Sequence, residues 1–214
     1  RLVRAADVVV ANLPPASLHA FGLDYASVKA VRADVILVTQ TAFGDRGPLA
    51  DRGGFDGVGQ AMSGAMYMTG EPGAPAKAAA PYVDFSTAVL SAFGAMAALL
   101  HRAKTGEGQE VKTSLLGTAL AVFGSHLIEQ GALTKNRTPS GNRVQTSAPS
   151  DVFATRDGHV LTHCVGNGLF RRWARLMGDA DRWLTDPRLQ SDQSRGDHAA
   201  EILTRMNEWC AQRT

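Results

Sequence analysis

Cysteine is scarce in this sequence: Cys164 and Cys210 are the only two in 214 residues, and they stand 46 positions apart. That separation matches no zinc or redox spacing, and two distant thiols build no disulfide framework. They read as free thiols of a reducing, cytoplasmic compartment. An excess of one sign of charge is missing too, with 22 Lys and Arg against 20 Asp and Glu. The net charge is +2, with no basic run, so nucleic acid is not an expected partner. A long hydrophobic run is missing: the apolar stretch 88–100 is interrupted by Ser91 and Gly94. It falls short of the ~20 residues of a membrane span, so no membrane partner is expected either. Neither G-x-x-x-x-G-K-[ST] nor G-x-G-x-x-G occurs, which excludes the usual nucleotide-phosphate loops. There is no metal-ligand spacing, no internal repeat and no low-complexity tract. No signal peptide is visible, and the chain starts at Arg1 without an initiator Met, so it reads as a fragment.

What is present is enough apolar residue, 44%, to bury a sizeable core in one or two domains. Residues 6–12 (ADVVVAN) and 34–40 (DVILVTQ) are continuous β-branched runs, the pattern of strands buried on both faces. Between them, Pro14, Pro15 and Ser17 start a short helix that ends near Gly22, and Asp24 caps a second over residues 25–32. Strand, helices and strand predict a parallel βαβ unit of a doubly wound, Rossmann-like α/β domain. The loop TAFGDRGPLADRGG follows the second strand's carboxyl end, where open α/β sheets place ligands. Apolar residues at 55, 58, 62 and 66 predict a helix over 55–68. Residues 70–81 are a Pro/Gly/Ala loop, 109–113 alternate as a half-exposed strand, and 115–130 read as an apolar helix stopped at Gly131. Polar residues 132–149 mark a linker between a large domain (1–131) and a small α+β domain (150–214). In the latter, Arg156-Asp157-Gly158 turns a hairpin, Asn167 caps a helix to residue 177, and Asp197 opens another to residue 211.

The segment around Asp84 concentrates the chemistry. Asp84 follows Pro81, Tyr82 and Val83 and opens the apolar run 85–100, which ends on His101, Arg102 and Lys104 before Gly106. A carboxylate at the first position of a buried helix faces free N–H groups and the positive end of the dipole, which favours its ionised form. An ionised carboxylate in an apolar surround can act as a nucleophile. Asp is also a preferred N-cap, so both a capping and a catalytic role are open on this pattern.

The words TAFGDRGPLADRGGFDGVGQAMSG, TGEP, YVDFSTA, LLHRAKTGEGQEVKTSLL and FATRDGHV occur in this order. Together they resemble the family III CoA-transferases, which include formyl-CoA:oxalate and carnitine CoA-transferases and the 2-methylacyl-CoA racemases. The resemblance covers nearly the whole chain, starting inside the family's large domain and stopping inside its small one. It implies a homodimer of interlocked chains, an acyl-CoA and a carboxylic acid acceptor as substrates, and no permanently bound cofactor. The family's nucleophilic Asp falls on Asp84. Asn12 and Leu13 match an Asn-Phe pair that lies against CoA, and Phe55 matches an aromatic beside the pantetheine.

The chain departs from that pattern at several points. Gly53 stands where the formyl-CoA branch has a basic residue, and Ala20 where it has an Arg, so contacts to the CoA phosphates must differ. The stretch equivalent to the family's glycine-rich lid, residues 140–147, contains only Gly141. The racemase branch carries a His in a G-H-D word that here reads Gly54-Phe55-Asp56. A phenyl ring carries no proton, and racemisation needs a base on each face of the α-carbon. Racemase is therefore the alternative reaction, with Asp56 as candidate base; a catalytically incomplete fragment acting in subunit assembly is the alternative of a different class.

Overall fold

The β-branched runs form two parallel strands, β1 (Val8–Ala11) and β2 (Ile36–Thr41), paired with Val8 opposite Ile36 and Ala11 opposite Thr39. A third parallel strand, β3 (Glu110–Ser114), pairs with the other edge of β2, giving the order β1-β2-β3. The computed structural model describes residues 1–214, divided into two compact units, Arg1–Pro139 and Ser140–Thr214. The sheet belongs to the first. Only β2 is buried on both faces; β1 lies at an edge and leaves Val10 65% exposed, against the expectation for a doubly buried strand.

Helices α1 (Leu2–Ala5), α2 (Pro15–Ala20) and α3 (Tyr25–Val31) surround β1 in the sequence. Asp24 caps α3 as its sequence predicts, accepting from the Ser27 N–H at 3.0 Å and the Ser27 hydroxyl at 2.7 Å. Val28 of α3 packs with Val35, the residue before β2, and with Leu37 on one face of the strand. Ile36 and Val38 point to the other face, where Ala98 of α6 (Tyr82–Thr105) covers them. Alternation along one strand thus gives the sheet a helix on each side.

The expected helix over 55–68 is two helices, α4 (Asp56–Met62) and α5 (Ala65–Thr69). Gly64, at φ 86°, sits in the left-handed region that only glycine enters cheaply and separates them. The apolar helix expected over 115–130 is likewise divided at Phe123 into α7 (Leu115–Val122) and α8 (Gly124–Leu133).

Helix α6 corrects two expectations. It is 24 residues long and, by length and composition alone, could cross a membrane, which the run 88–100 did not suggest. Its buried residues are Val83, which meets α4, and the small Thr87, Ser91 and Ala98, of which Ser91 and Ala98 face the sheet. Phe85, Val89, Phe93, Met96 and Leu100 form an exposed stripe, each more than 60% accessible. Close approach explains the choice: a Cβ on Gly94 would lie 2.6 Å from Val111 Cγ1 of β3.

The second unit pairs β4 (Ser150–Ala154) with β5 (His159–His163) as an antiparallel hairpin. Around it lie α9 (Asn167–Leu176), α10 (Ala180–Thr185), a 3₁₀ turn (Pro187–Leu189), α11 (Asp192–Asp197) and α12 (Ala199–Ala211). Phe170, Trp173, Trp183, Ile202 and Met206 build its core. Two helix starts differ from expectation. Gly166 occupies the cap position of α9, and Asn167 instead accepts a hydrogen bond from Arg195 at 3.0 Å. Asp197 closes α11, and α12 begins after His198. The unit boundary lies within residues 132–149, where Ser147, Ala148 and Pro149 are already buried.

Candidate active site

Because β1 and β2 are parallel, their carboxyl ends deliver Asn12, Gln40 and Thr41 to the same edge of the sheet. The loop that follows β2 folds back over that edge. Its first turn closes where the Gly44 N–H donates to Thr41 Oγ1 at 2.9 Å, and Asp45 is held by Lys112 Nζ of β3 at 2.7 Å. Its end approaches its beginning so closely that a Cβ on Gly54 would stand 2.9 Å from Ala42 Cβ. Loop, strand ends and the start of α6 enclose a cleft of about 390 Å³.

Four of the five residues expected in the site line this cleft: Asn12, Gly53, Phe55 and Asp84. Leu13 does not; it is half-buried beside it. Phe55 is 83% exposed, an aromatic face free to cover a ligand. Arg52, Gln40 and Thr87 also line the cleft, and sequence reasoning did not single them out. Beneath, Gln40 Nε2 donates to Ser91 Oγ at 2.8 Å, and Ser91 Oγ lies 2.8 Å from Thr113 Oγ1, which ties α6 to β2 and β3 under Asp84.

Asp84 is not the cap of its helix. Pro81 holds the N-cap position, and Asp84 is the third residue of α6. The first-turn amides go to Asp56 instead: its Oδ1 accepts from the Val83 N–H at 2.8 Å and the Asp84 N–H at 3.4 Å. Asp56 is buried, and its other oxygen accepts from Gln60 Nε2. Gln60 Oε1 in turn accepts from the Ala78 N–H at 2.9 Å, fastening the loop that leads to α6. The sequence offers Asp56 only as the candidate base of a racemase. In the fold Asp56 joins α4 to α6 across 27 positions.

The electrostatics also reverse an expectation. Asp84 accepts no hydrogen bond from the helix start, so only the helix dipole there favours its ionised form. Desolvation, and then the charge of Asp56, hold its carboxyl above the ordinary range. The Tyr82 phenol is raised by the same two causes. A carboxylate with few stabilising donors is a stronger nucleophile for its charge. The cleft thus offers an unbonded carboxylate beside an exposed aromatic, loop amides and an arginine.

The sequence profile of CoA-transferase family III matches residues 1–214. Succinate–glutarate CoA-transferase of Agrobacterium fabrum is 36% identical over 205 residues, 94% of this chain and 50% of that protein. Succinyl-CoA–D-citramalate CoA-transferase of Chloroflexus aurantiacus is 32% identical over 211 residues, covering 98% and 52% respectively. The chain spans about half the length of the curated relatives it matches. Among solved structures, a CAIB/BAIF family protein from Brucella suis superposes with a TM-score of 0.79 at 31% identity, over 100% of this chain and 56% of that one. Sequence words, parallel sheet and full-length profile converge: this chain belongs to CoA-transferase family III.

Proposed function

We propose that this chain carries the nucleophile of an acyl-CoA:carboxylate CoA-transferase, and that the nucleophile is Asp84. The observation that carries the reading is the unbonded Asp84 carboxylate at the mouth of a cleft on the carboxyl edge of a parallel sheet. The relatives named above, by their names a succinate–glutarate and a succinyl-CoA–D-citramalate CoA-transferase, support the substrate class.

The chemistry is four displacements. An Asp84 oxygen attacks the thioester carbonyl; the C–S bond breaks and its electron pair leaves on the CoA thiolate, giving an acyl-aspartyl anhydride. The thiolate attacks the Asp84 carbonyl, the anhydride C–O bond breaks, and the donor leaves as a carboxylate. An acceptor carboxylate then attacks the aspartyl thioester and expels the thiolate. Finally the thiolate attacks the acceptor's acyl carbon, releasing new acyl-CoA and free Asp84. Each step exchanges one anion for another, so no side chain has to move a proton. The Gly53 and Gly54 amides, which make no hydrogen bond within the chain, serve as donors for the tetrahedral oxyanions. Asn12, Gly53 and Phe55 contact the CoA thioester, with Phe55 over the pantetheine.

The remaining features follow the same reading. The sheet is part of a Rossmann-like domain, and the protein is an interlocked homodimer with no resident cofactor, nucleic acid or membrane. The exposed Phe85, Val89, Phe93 and Met96 stripe of α6 supports the dimer, because an apolar face of that size calls for a protein partner. Two buried free thiols support a reducing cytoplasmic setting.

The test is trapping. Hydroxylamine present during turnover converts the activated aspartyl group to a hydroxamate and adds mass to the peptide bearing Asp84. Turnover retained by Asp84→Ala, or a mass shift on another peptide, would sink the assignment.

A further inference from the structure

We propose that Asp56 is the positioning residue of this site: it caps α6 from outside the helix, so that Asp84, spared that task, stays unbonded and aimed into the cleft. The proposal rests on the reading of Asp84 as nucleophile.

The argument is an accounting of amides. An α-helix begins with N–H groups that lack intrahelical partners, and a first-turn carboxylate is their natural acceptor. At α6 every such donor is already committed. The Tyr82 N–H donates to Ala80 O at 2.9 Å, those of Val83 and Asp84 to Asp56 Oδ1, and that of Phe85 to Pro81 O at 3.2 Å. An acidic third residue usually reaches back to the N-cap amide, but the N-cap here is Pro81, which has none. Asp84 therefore has no local donor to take.

Asp56 can hold this post because it is itself held. It is 6% exposed, and its Oδ2 accepts from Gln60 Nε2, whose own residue is 1% exposed. The clamp thus fixes where α6 starts, and with it the direction in which Asp84 leaves the helix. Its negative charge also satisfies the helix dipole that Asp84 would otherwise neutralise. The charged and titratable groups around Asp84 are few. Asp56 faces it from α4 and Tyr82 precedes it on α6. Arg52 lines the cleft from the loop, while Lys77 lies over Gly57 with its Nζ on Ala78 O at 2.8 Å. The strand ends and α7 contribute none to the cleft.

Two variants separate charge from capping. Asp56→Asn keeps an oxygen for the Val83 and Asp84 amides and removes the charge. Asp56→Ala removes both and frees the amides for Asp84. Carbon-detected NMR titration of the Asp84 carboxyl, which needs no turnover, is the primary measurement, with protection of the Val83 amide against exchange as the report on folding. The expected result is a titration midpoint lower than wild type in Asp56→Asn and lower still in Asp56→Ala, with Val83 protection lost only in the latter. With substrates, kcat falls in Asp56→Ala on the order of tenfold to a hundredfold with KM for the thioester little changed, and the acid limb of the pH profile moves down. An unchanged midpoint in folded variants overturns the proposal, and equal shifts in both overturn the amide-sparing role. If Asp56→Ala does not fold, Asp56→Asn still carries the charge test. Hydroxylamine labelling of the wild type at another residue would refute the Asp84 reading and leave this titration result standing.

Discussion

Gly59 and Val83 meet where α4 crosses the start of α6: a Cβ on Gly59 would lie 2.9 Å from Val83 Cγ1 and 3.5 Å from Ala119 Cβ. Val83 is fully buried and carries the amide that Asp56 holds. Alanine at position 59 would gain roughly 0.5–1 kcal/mol of helix propensity. Overlap with a packed core costs about 1–3 kcal/mol, so the overlap wins. Gly59→Ala is expected to lower the thermal midpoint and to depress kcat through displacement of Asp84. A midpoint at or above wild type would show that α6 yields there without cost.

Asp84 itself is expected to cost stability. Its folded pKa lies above the unfolded value, through desolvation first and Asp56 second. The folded chain therefore binds that proton more tightly, a contribution fully present below the unfolded pKa and lost as pH rises through the folded pKa. At neutral pH the ionised group opposes folding. Asp84 is exposed at the cleft and solvent screens the effect, so Asp84→Asn should unfold at a slightly higher temperature than wild type at pH 7, with the gap closing in acid, while transfer is abolished. A variant less stable than wild type at pH 7 would contradict the direction of the shift.

Gly53 is the position to test for phosphate contact. It lines the cleft, its φ is not in the glycine-only region, and an added Cβ meets nothing within 4 Å. Gly53→Lys should fold normally and tighten CoA binding at low salt, with the gain fading as ionic strength rises past about 0.15 M. Calorimetric titration at two salt concentrations measures it. Unchanged affinity at both would place the phosphates elsewhere.

Much of the site was legible because its parts are local. The strand ends, the glycine loop, Phe55 and Asp84 fall in consecutive words, and the parallel sheet brings Asn12 to the loop as βαβ logic predicts. What was not legible is what crosses the chain. The Asp56 cap spans 27 residues, and Asp in the first turn of α4 looks like a residue serving its own helix. The burial of α6 was misjudged for another reason. An apolar run shows that a helix will bury something, not which face. Here Gly94 and the small residues 91 and 98 choose the sheet side by fitting closely, leaving the phenylalanines outside. The exposure of Val10 was not legible because strand composition does not reveal which strand is an edge.

The choice between transfer and racemisation turns on Phe55. A racemase must exchange the α-proton of a bound 2-methylacyl-CoA with solvent, because a side chain that equilibrates with water removes it. The four displacements proposed at Asp84 would never touch that proton. Phe55 cannot accept it, and Asp56, the other carboxylate nearby, is buried with its oxygens committed to Val83, Asp84 and Gln60. In deuterium oxide the protein should therefore place no deuterium at the α-carbon of a 2-methylacyl-CoA, while a dicarboxylic acid offered with succinyl-CoA should yield a new acyl-CoA. Mass spectrometry of the recovered thioester reads both results from one reaction. Phe55→His puts a group that titrates near neutrality at the cleft, and slow α-deuteration is the expected gain. Rapid α-deuteration by the unmodified protein would overturn transfer as the reaction and require that Asp56 leave the amides of α6 to reach the substrate.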